Sequence, residues 1–292
     1  MEDIEKFFIQ TLKDTGITKG LGDDAVLLTS QKGGYPKPAC LPNDINSPVY
    51  GMDMFWEGVH FKREWFSPQE IGYKAFLVNI SDILVMNAVP KYALLALSLP
   101  KDITKGYIRA LIAGFVRACR EFQIQIIGGD TISAPILGIT ITMIGQAKRP
   151  ALLRYGGRVG DLIYHTGTLG SSLKELKNRQ RGGVKSLRSR FYSPILRESF
   201  IRAIAKFTHI CTDVSDGIYA ELNTLSNANR LAFKLFQRKS AYQSGEEYEV
   251  LFCIAPKDSV RLLRLAKKYR VRITCIGKLA RGHSTYPSYL WH

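Results

Sequence analysis

Carboxylates recur along this chain at five places, each within or just after an apolar run: Gly22-Asp23-Asp24, Asp53, Asn79-Ile80-Ser81-Asp82, Gly128-Gly129-Asp130 and Asp213-Val214-Ser215-Asp216-Gly217. Hard divalent cations such as Mg2+ take oxygen ligands, and a nucleoside triphosphate needs such cations to neutralise it. A metal-phosphate site is usually assembled from distant segments that the fold brings together, and this spread suits one. Each motif also has a plainer reading. Gly22-Asp23-Asp24 is a common turn. Ser215 or Asp216 could simply cap a helix, and the same geometry would set a helix N-terminus where a phosphate can bind. Asp53 lies among strand-like residues, where an unpaired buried carboxylate is costly, so it should be paired, metal-bound or facing a cleft. Asn79 and Asp82, three apart, share a helix face that is either turned to water or presented to a site. Gly128 and Gly129 would let backbone N–H groups approach an anion, with Asp130 holding its metal.

Gly245-Glu246-Glu247-Tyr248-Glu249 precedes another apolar run, and His60 is the only histidine near an acidic motif in the first half. There is no G-x-x-x-x-G-K-[ST] loop, no kinase-type lysine and catalytic-loop set, no zinc spacing and no serine or cysteine nucleophile motif. No side chain is therefore assigned a catalytic role beyond holding metal.

The elements that must position these groups are legible from periodicity. Helices are expected at 1–12 and 67–87, the latter opening on the capping box Ser67-Pro68-Gln69-Glu70 and ending at Ala88-Val89-Pro90. A further amphipathic helix is expected at 104–121. Strands are expected at 49–55, 91–99, 123–128 and 137–147. Beyond a linker at Arg149-Pro150, strands at 161–166, 209–214, 231–236, 248–255 and 271–277 alternate with helices near 193–207, 217–227 and 257–269. Segments 31–48 and 178–190 read as loops, the second mobile. Two domains, 1–147 and 148–292, are the economical division.

With 292 residues, 46% of them hydrophobic, the composition is that of an ordinary globular protein. No run reaches the roughly 18 apolar residues that span a bilayer. The acidic, amphipathic start is unlike a secretory signal, and five cysteines without C-x-x-C spacing read as reduced, mostly buried thiols. Together these predict a cytoplasmic protein with no membrane association. The net charge of +16, concentrated between Lys148 and Lys206, admits three readings: nucleic-acid binding, a polyphosphate site, or the basic habit of the source proteome. No aromatic-basic signature of a nucleic-acid module appears.

Taken in order, the motifs resemble those of thiamine-monophosphate kinases, within the aminoimidazole-ribonucleotide-synthetase-like superfamily. The resemblance rests on Gly22-Asp23-Asp24-Ala25, Asp53 through Glu57-Gly58-Val59-His60-Phe61, Tyr73-Lys74-Ala75 to Asp82, Gly128-Gly129-Asp130-Thr131, Gly160-Asp161 to Gly170, Asp213 to Gly217 and Gly245 to Glu249. It implies an α+β protein of two α/β domains, an N-terminal one whose mixed sheet pairs across a homodimer and a C-terminal α/β sandwich. It implies direct, in-line, Mg2+-dependent phosphorylation of thiamine monophosphate by ATP. By motif, Asp24, Asp53, Asp82, Asp130, Asp213 and Asp216 would hold Mg2+. Tyr107, Gly129, Asp130, Arg154 and Ser215 would contact ATP, and His60 and Glu246 the thiamine phosphate. The chain departs from the pattern at Gly51-Met52, where the family usually has Thr-Thr, and at Ser244-Gly245-Glu246-Glu247 in place of Gly-Gly-Glu-Asp. The segment from Asp216 to Gly245 is shorter than usual. The alternatives are another ATP-using enzyme of the superfamily acting on a different small molecule, and a basic nucleic-acid-binding protein.

Overall fold

A capping box starts the helix that organises the molecule. Ser67 Oγ accepts the Glu70 N–H at 3.3 Å, and Glu70 Oε2 accepts the Ser67 N–H at 2.8 Å, with Pro68 in the first turn. These contacts satisfy two otherwise orphaned donors and fix the start of α1 (Pro68–Val85). The computed structural model describes residues 25–27, 47–186 and 189–288. The expected helix at 1–12, Asp24, Cys40 and nearly all of the 31–48 loop lie outside them.

The first sheet has the order β1 (Val26–Leu27), β2 (Pro48–Trp56), β5 (Gly138–Ala147), β3 (Ala88–Leu99) and β4 (Gln125–Ser133). Only β3 and β4 run parallel, joined by the crossover helix α2 (Lys105–Phe122), so the sheet is mixed. Two expected boundaries shift. Helix α1 ends at Val85 because Asn87 takes a left-handed conformation (φ 55°), and β3 starts at Ala88 and runs through Pro90, not from residue 91. Gly128-Gly129-Asp130 does not follow a strand but lies inside β4. A Cβ on Gly129 would sit 1.8 Å from the Leu95 carbonyl oxygen, so strand pairing itself demands glycine there. Helices α1 and α2 also meet through glycines: a Cβ on Gly72 would come within 2.3 Å of the Leu111 carbonyl oxygen.

The second sheet has the order β7 (Thr208–Asp213), β9 (Val250–Ile254), β6 (Leu162–Thr166), β10 (Ile273–Arg281) and β8 (Leu231–Leu235), every pair antiparallel. Helices α3 (Ser171–Gln180), α4 (Glu198–Ile204), α5 (Ile218–Asn229) and α6 (Ser259–Lys268) accompany it. Sheets paired mainly antiparallel, with helices packed on them, make this an α+β protein.

Helix α1 is buried nearly all round, packing on β2, β3 and β5 and reaching β7 and α4. Its apolar surface belongs to one continuous core that runs from Phe55, Phe76 and Ile141 of the first half to Phe200, Phe252 and Leu262 of the second. The other face of the first sheet is open: Tyr50, Met52 and Met54 of β2 and Tyr92 and Leu94 of β3 are exposed, and β4 is exposed along its whole length.

Candidate functional site

Three of the sequence-predicted acids gather where β2, α1 and β7 meet. Asp53 alternates inward along β2, and its N–H donates to Asn79 Oδ1 at 3.0 Å, tying the strand to the helix. Asp82, one turn further along α1, lies beside Gly51 of β2: a Cβ on that glycine would stand 3.8 Å from the Asp82 Cβ. Asp213 ends β7, buried, and its Oδ2 accepts the Ser81 hydroxyl at 2.5 Å. Asn79, Ser81 and Asp82 thus each do a separate job on one stretch of α1, which explains why that stretch is polar within an apolar helix.

The turn after Asp213 is built as a pair with the loop 244–249. Ser215 O accepts the Glu246 N–H at 2.6 Å, and Val214 O accepts the Tyr248 N–H at 2.9 Å. Glu246 and Tyr248 both adopt left-handed backbone (φ 56° and 49°), a conformation that non-glycine residues hold only when their surroundings over-determine it. Burial, reinforced by the carboxylates of Glu246, Asp53 and Asp213, pushes the Tyr248 hydroxyl far above its ordinary pKa, so it stays a proton donor. Its O–H donates to Glu246 Oε1 at 3.1 Å. Glu247 and Glu249 in the same loop are structural. Glu247 caps α3 by accepting the Gly170 and Ser172 N–H groups at 2.7 and 3.1 Å. Glu249 accepts Arg197 bidentately at 2.9 and 2.7 Å, together with Arg190 and the Thr166 hydroxyl.

Glu246 and His60 line one cavity of about 170 Å³, with Phe61, Trp65 and Phe191 among its walls. His60 is held by its Nδ1, which accepts the Trp56 N–H at 3.1 Å. The two residues that the motifs single out for one role, 186 positions apart in the chain, therefore share a wall.

A second group surrounds the start of α5. Gly217, with φ 93° and its Cα packed under the Tyr242 carbonyl, precedes the helix without offering a side-chain cap. Neither Ser215 nor Asp216 caps α5. Instead Glu221, from the first turn, reaches back and accepts the Ser215 hydroxyl at 3.2 Å and the Asp216 N–H at 3.3 Å. Arg154 approaches the same carboxylate at 4.0 Å and donates from Nε to Thr212 Oγ1 at 3.1 Å. Arg154, Ser215 and Asp216 are thus neighbours, adjoining Asp213.

Tyr107, on the first turn of α2, has a buried hydroxyl with no hydrogen-bond partner among the described residues. Burial, aided by the carboxylates of Glu57 and Asp102 and opposed by the Arg63 guanidinium, pushes its pKa up to about 12. Asp130 stands apart. It is exposed on β4, three strands away from β2, and its chain neighbour Gly129 lies opposite Leu95, which faces Ile141 and then Asp53. Three strand spacings of about 4.8 Å put the two rows roughly 14 Å apart. Among the described residues no three His, Cys, Asp or Glu side chains close on a single point tightly enough to hold a metal by themselves. The Asp53, Asp82 and Asp213 group nevertheless has the donor set that Mg2+ prefers, since that ion usually takes one or two carboxylates and fills its shell with waters and substrate phosphates.

A model of the AIR synthase related protein N-terminal domain matches residues 22–147. The thiamine-monophosphate kinase of Buchnera aphidicola subsp. Acyrthosiphon pisum is 32% identical, over 94% of this chain and 89% of the relative. The chain belongs to the thiamine-monophosphate kinase family. The Bacillus subtilis thiamine-monophosphate kinase is 34% identical over 78% of this chain and 70% of its own length. The solved structure of AaThiL complexed with AMPPCP and TMP superposes with a TM-score of 0.79 at 25% identity, covering 96% of this chain and 91% of that one. Members of the thiamine-monophosphate kinase family are phosphotransferases, so this chain is an enzyme of that class. Sequence reasoning missed Glu221, Lys74 and Ser81 as members of the site. Lys74 carried a signal: a lysine inside an otherwise apolar helical stretch must either snorkel or be paired.

Proposed function

We propose that the chain transfers the terminal phosphoryl group of ATP to thiamine monophosphate, giving thiamine diphosphate and ADP. The observation that carries this reading is the cavity shared by His60 and Glu246. Its carboxylate hangs from the loop that hydrogen-bonds the turn between Asp213 and Asp216, so an acceptor bound there abuts the acidic group. The cavity walls set Phe61, Trp65 and Phe191 beside the Glu246 carboxylate and the Lys62 ammonium, a lining that suits a flat, cationic heteroaromatic ring carrying an anionic phosphate. Arg154, Ser215 and the unsatisfied Tyr107 hydroxyl are offered to ATP, and Gly129 and Asp130 from β4 complete that set. Asp53, Asp82, Asp213 and Asp216, with Asp24, would hold Mg2+, and Asp130, three strands away, would hold a separate ion; Mg2+ would supply charge neutralisation of the phosphates. The residues then contribute positioning: His60 and Glu246 orient the acceptor, Arg154 and Ser215 hold the donor, and transfer is direct and in line. No protein nucleophile or strong base is required.

We also infer a homodimer. An exposed edge strand bearing Ile126, Ile127 and Ile132, beside an apolar open sheet face, invites a second copy. The division at 147/148 separates the two sheets. None of the described helices is long and apolar enough to cross a membrane. Purified protein with ATP, Mg2+ and thiamine monophosphate should yield thiamine diphosphate and ADP in equal amounts. No product at saturating substrates defeats the proposal, and turnover of a different small molecule would instead favour another activity of the superfamily.

A further inference from the structure

Lys74 is the most deeply buried cation among the described residues, and the mechanism above does not use it. It sits in the middle of α1 with no solvent exposure. Its ammonium donates to the Phe191 carbonyl oxygen at 2.6 Å and to Glu246 Oε2. The rings of Phe191, Phe66 and Phe55 stand 4.6, 5.4 and 5.6 Å from the nitrogen. Carbonyl, carboxylate and aromatic faces therefore take all of its donors, an arrangement that can hold an ammonium ion out of water.

Glu246 faces two ways. Its carboxylate accepts Lys74 on one oxygen and the Tyr248 hydroxyl on the other, and the same residue lines the cavity with His60. Lys74 does not line it; Phe191 does, with its carbonyl bonded to the ammonium. Seen from the cavity, the carboxylate is in front and its counter-ion is sealed behind it. A carboxylate this buried could not stay charged unaided, and a long glutamate side chain tethered at one oxygen alone would be free to turn.

We propose that Lys74 is a positioning residue for the acceptor substrate: an internal counter-ion that keeps Glu246 charged and aimed into the cavity, so that the pocket selects a ligand offering an amino group or cationic ring. This rests on the reading of the cavity as the thiamine-phosphate site and names a residue behind that site.

The test compares wild type, Lys74→Met, Glu246→Gln and the double variant, by steady-state kinetics in both substrates and by calorimetric binding of thiamine monophosphate. Lys74→Met should raise the KM and Kd for thiamine monophosphate by roughly tenfold or more while leaving the KM for ATP within about twofold. In the Glu246→Gln background, the same change should have no further effect on thiamine monophosphate binding. A folded Lys74→Met protein with wild-type affinity for thiamine monophosphate overturns the proposal. So does an equal loss for both substrates, or an undiminished loss in the Glu246→Gln background. If Lys74→Met alone does not fold, the double variant, in which no buried charge is left unpaired, carries the comparison with Glu246→Gln. A wild-type protein that neither binds nor phosphorylates thiamine monophosphate would sink the functional reading itself, a result separate from wild-type activity with an indifferent Lys74.

Discussion

The Ser81 hydroxyl gives the sharpest handle on the acidic group. It donates to Asp213 Oδ2 at 2.5 Å in a fully buried setting and ties α1 to the end of β7. Ser81→Ala removes one small atom and no charge, so the helix should persist. A hydrogen bond to a charged group contributes about 1.5–3 kcal/mol. For a chain of 292 residues, at about 2.1 cal/mol/K per residue of unfolding entropy, that corresponds to a drop in melting temperature of roughly 2–5 °C. If Asp213 is a metal ligand held in place by this contact, kcat/KM should fall by roughly 10- to 100-fold, since each 1.4 kcal/mol is a factor of ten. The Mg2+ concentration for half-maximal rate should also rise. Calorimetric melting and a Mg2+ titration of the initial rate check both parts. A variant that melts lower but keeps the wild-type Mg2+ dependence and rate would show that the contact is structural, and would refute the reasoning that places Asp213 on metal.

Asp82→Asn should abolish turnover and leave the melting curve near wild type, and chelation with EDTA should stop the wild-type reaction until Mg2+ is restored; a fully active Asp82→Asn enzyme removes this residue from the site. Tyr107→Phe deletes a buried hydroxyl that has no hydrogen-bond partner among the described residues, so stability at neutral pH should rise by about 1 kcal/mol while the KM for ATP increases; a destabilised variant with normal ATP kinetics contradicts both. Burial pushes both Tyr107 and Tyr73 up to about 12, the latter aided by its hydrogen bond to Glu121. The unfolded chain loses these protons near pH 10.0 and the folded chain keeps them, so stability is whole below that pH and declines through about 12. Tyr107→Phe should flatten the decline in a pH series of melts. Ile127→Lys on the exposed strand β4 should convert a dimer to a monomer in light scattering, and an unchanged mass would point to another interface.

Most of the architecture could be read from local pattern because its signals are local: the capping box at Ser67, the alternation in β5, the amphipathic stripe of α2. Helix α3 escaped notice for the opposite reason. Its residues are mostly polar, and its cap comes from Glu247, 77 positions away. The end of α1 was misplaced because Pro90 looked like the stop signal when Asn87 had already turned the chain. In the site, Asp53, Asp82 and Asp213 were legible as acids at the edges of apolar runs, yet Lys74, Ser81 and Glu221 are defined by partners that only the fold brings near. The basic excess between 148 and 206 has a partly structural meaning as well: Arg154, Lys185, Arg190 and Arg197 each pair with a buried or half-buried glutamate. That leaves less unspoken-for positive charge for a nucleic acid than the bare count implies.

The single apolar interior that runs through both sheets has a consequence for how the molecule comes apart. Severed near residue 148, each piece would carry a raw hydrophobic wound where Phe76 and Ile83 of one now lie against the interior shared with Phe200 and Phe252 of the other. Unfolding should accordingly pass through one cooperative transition, and neither fragment should retain the acid-lined junction that exists only while α1 is clasped from both sides.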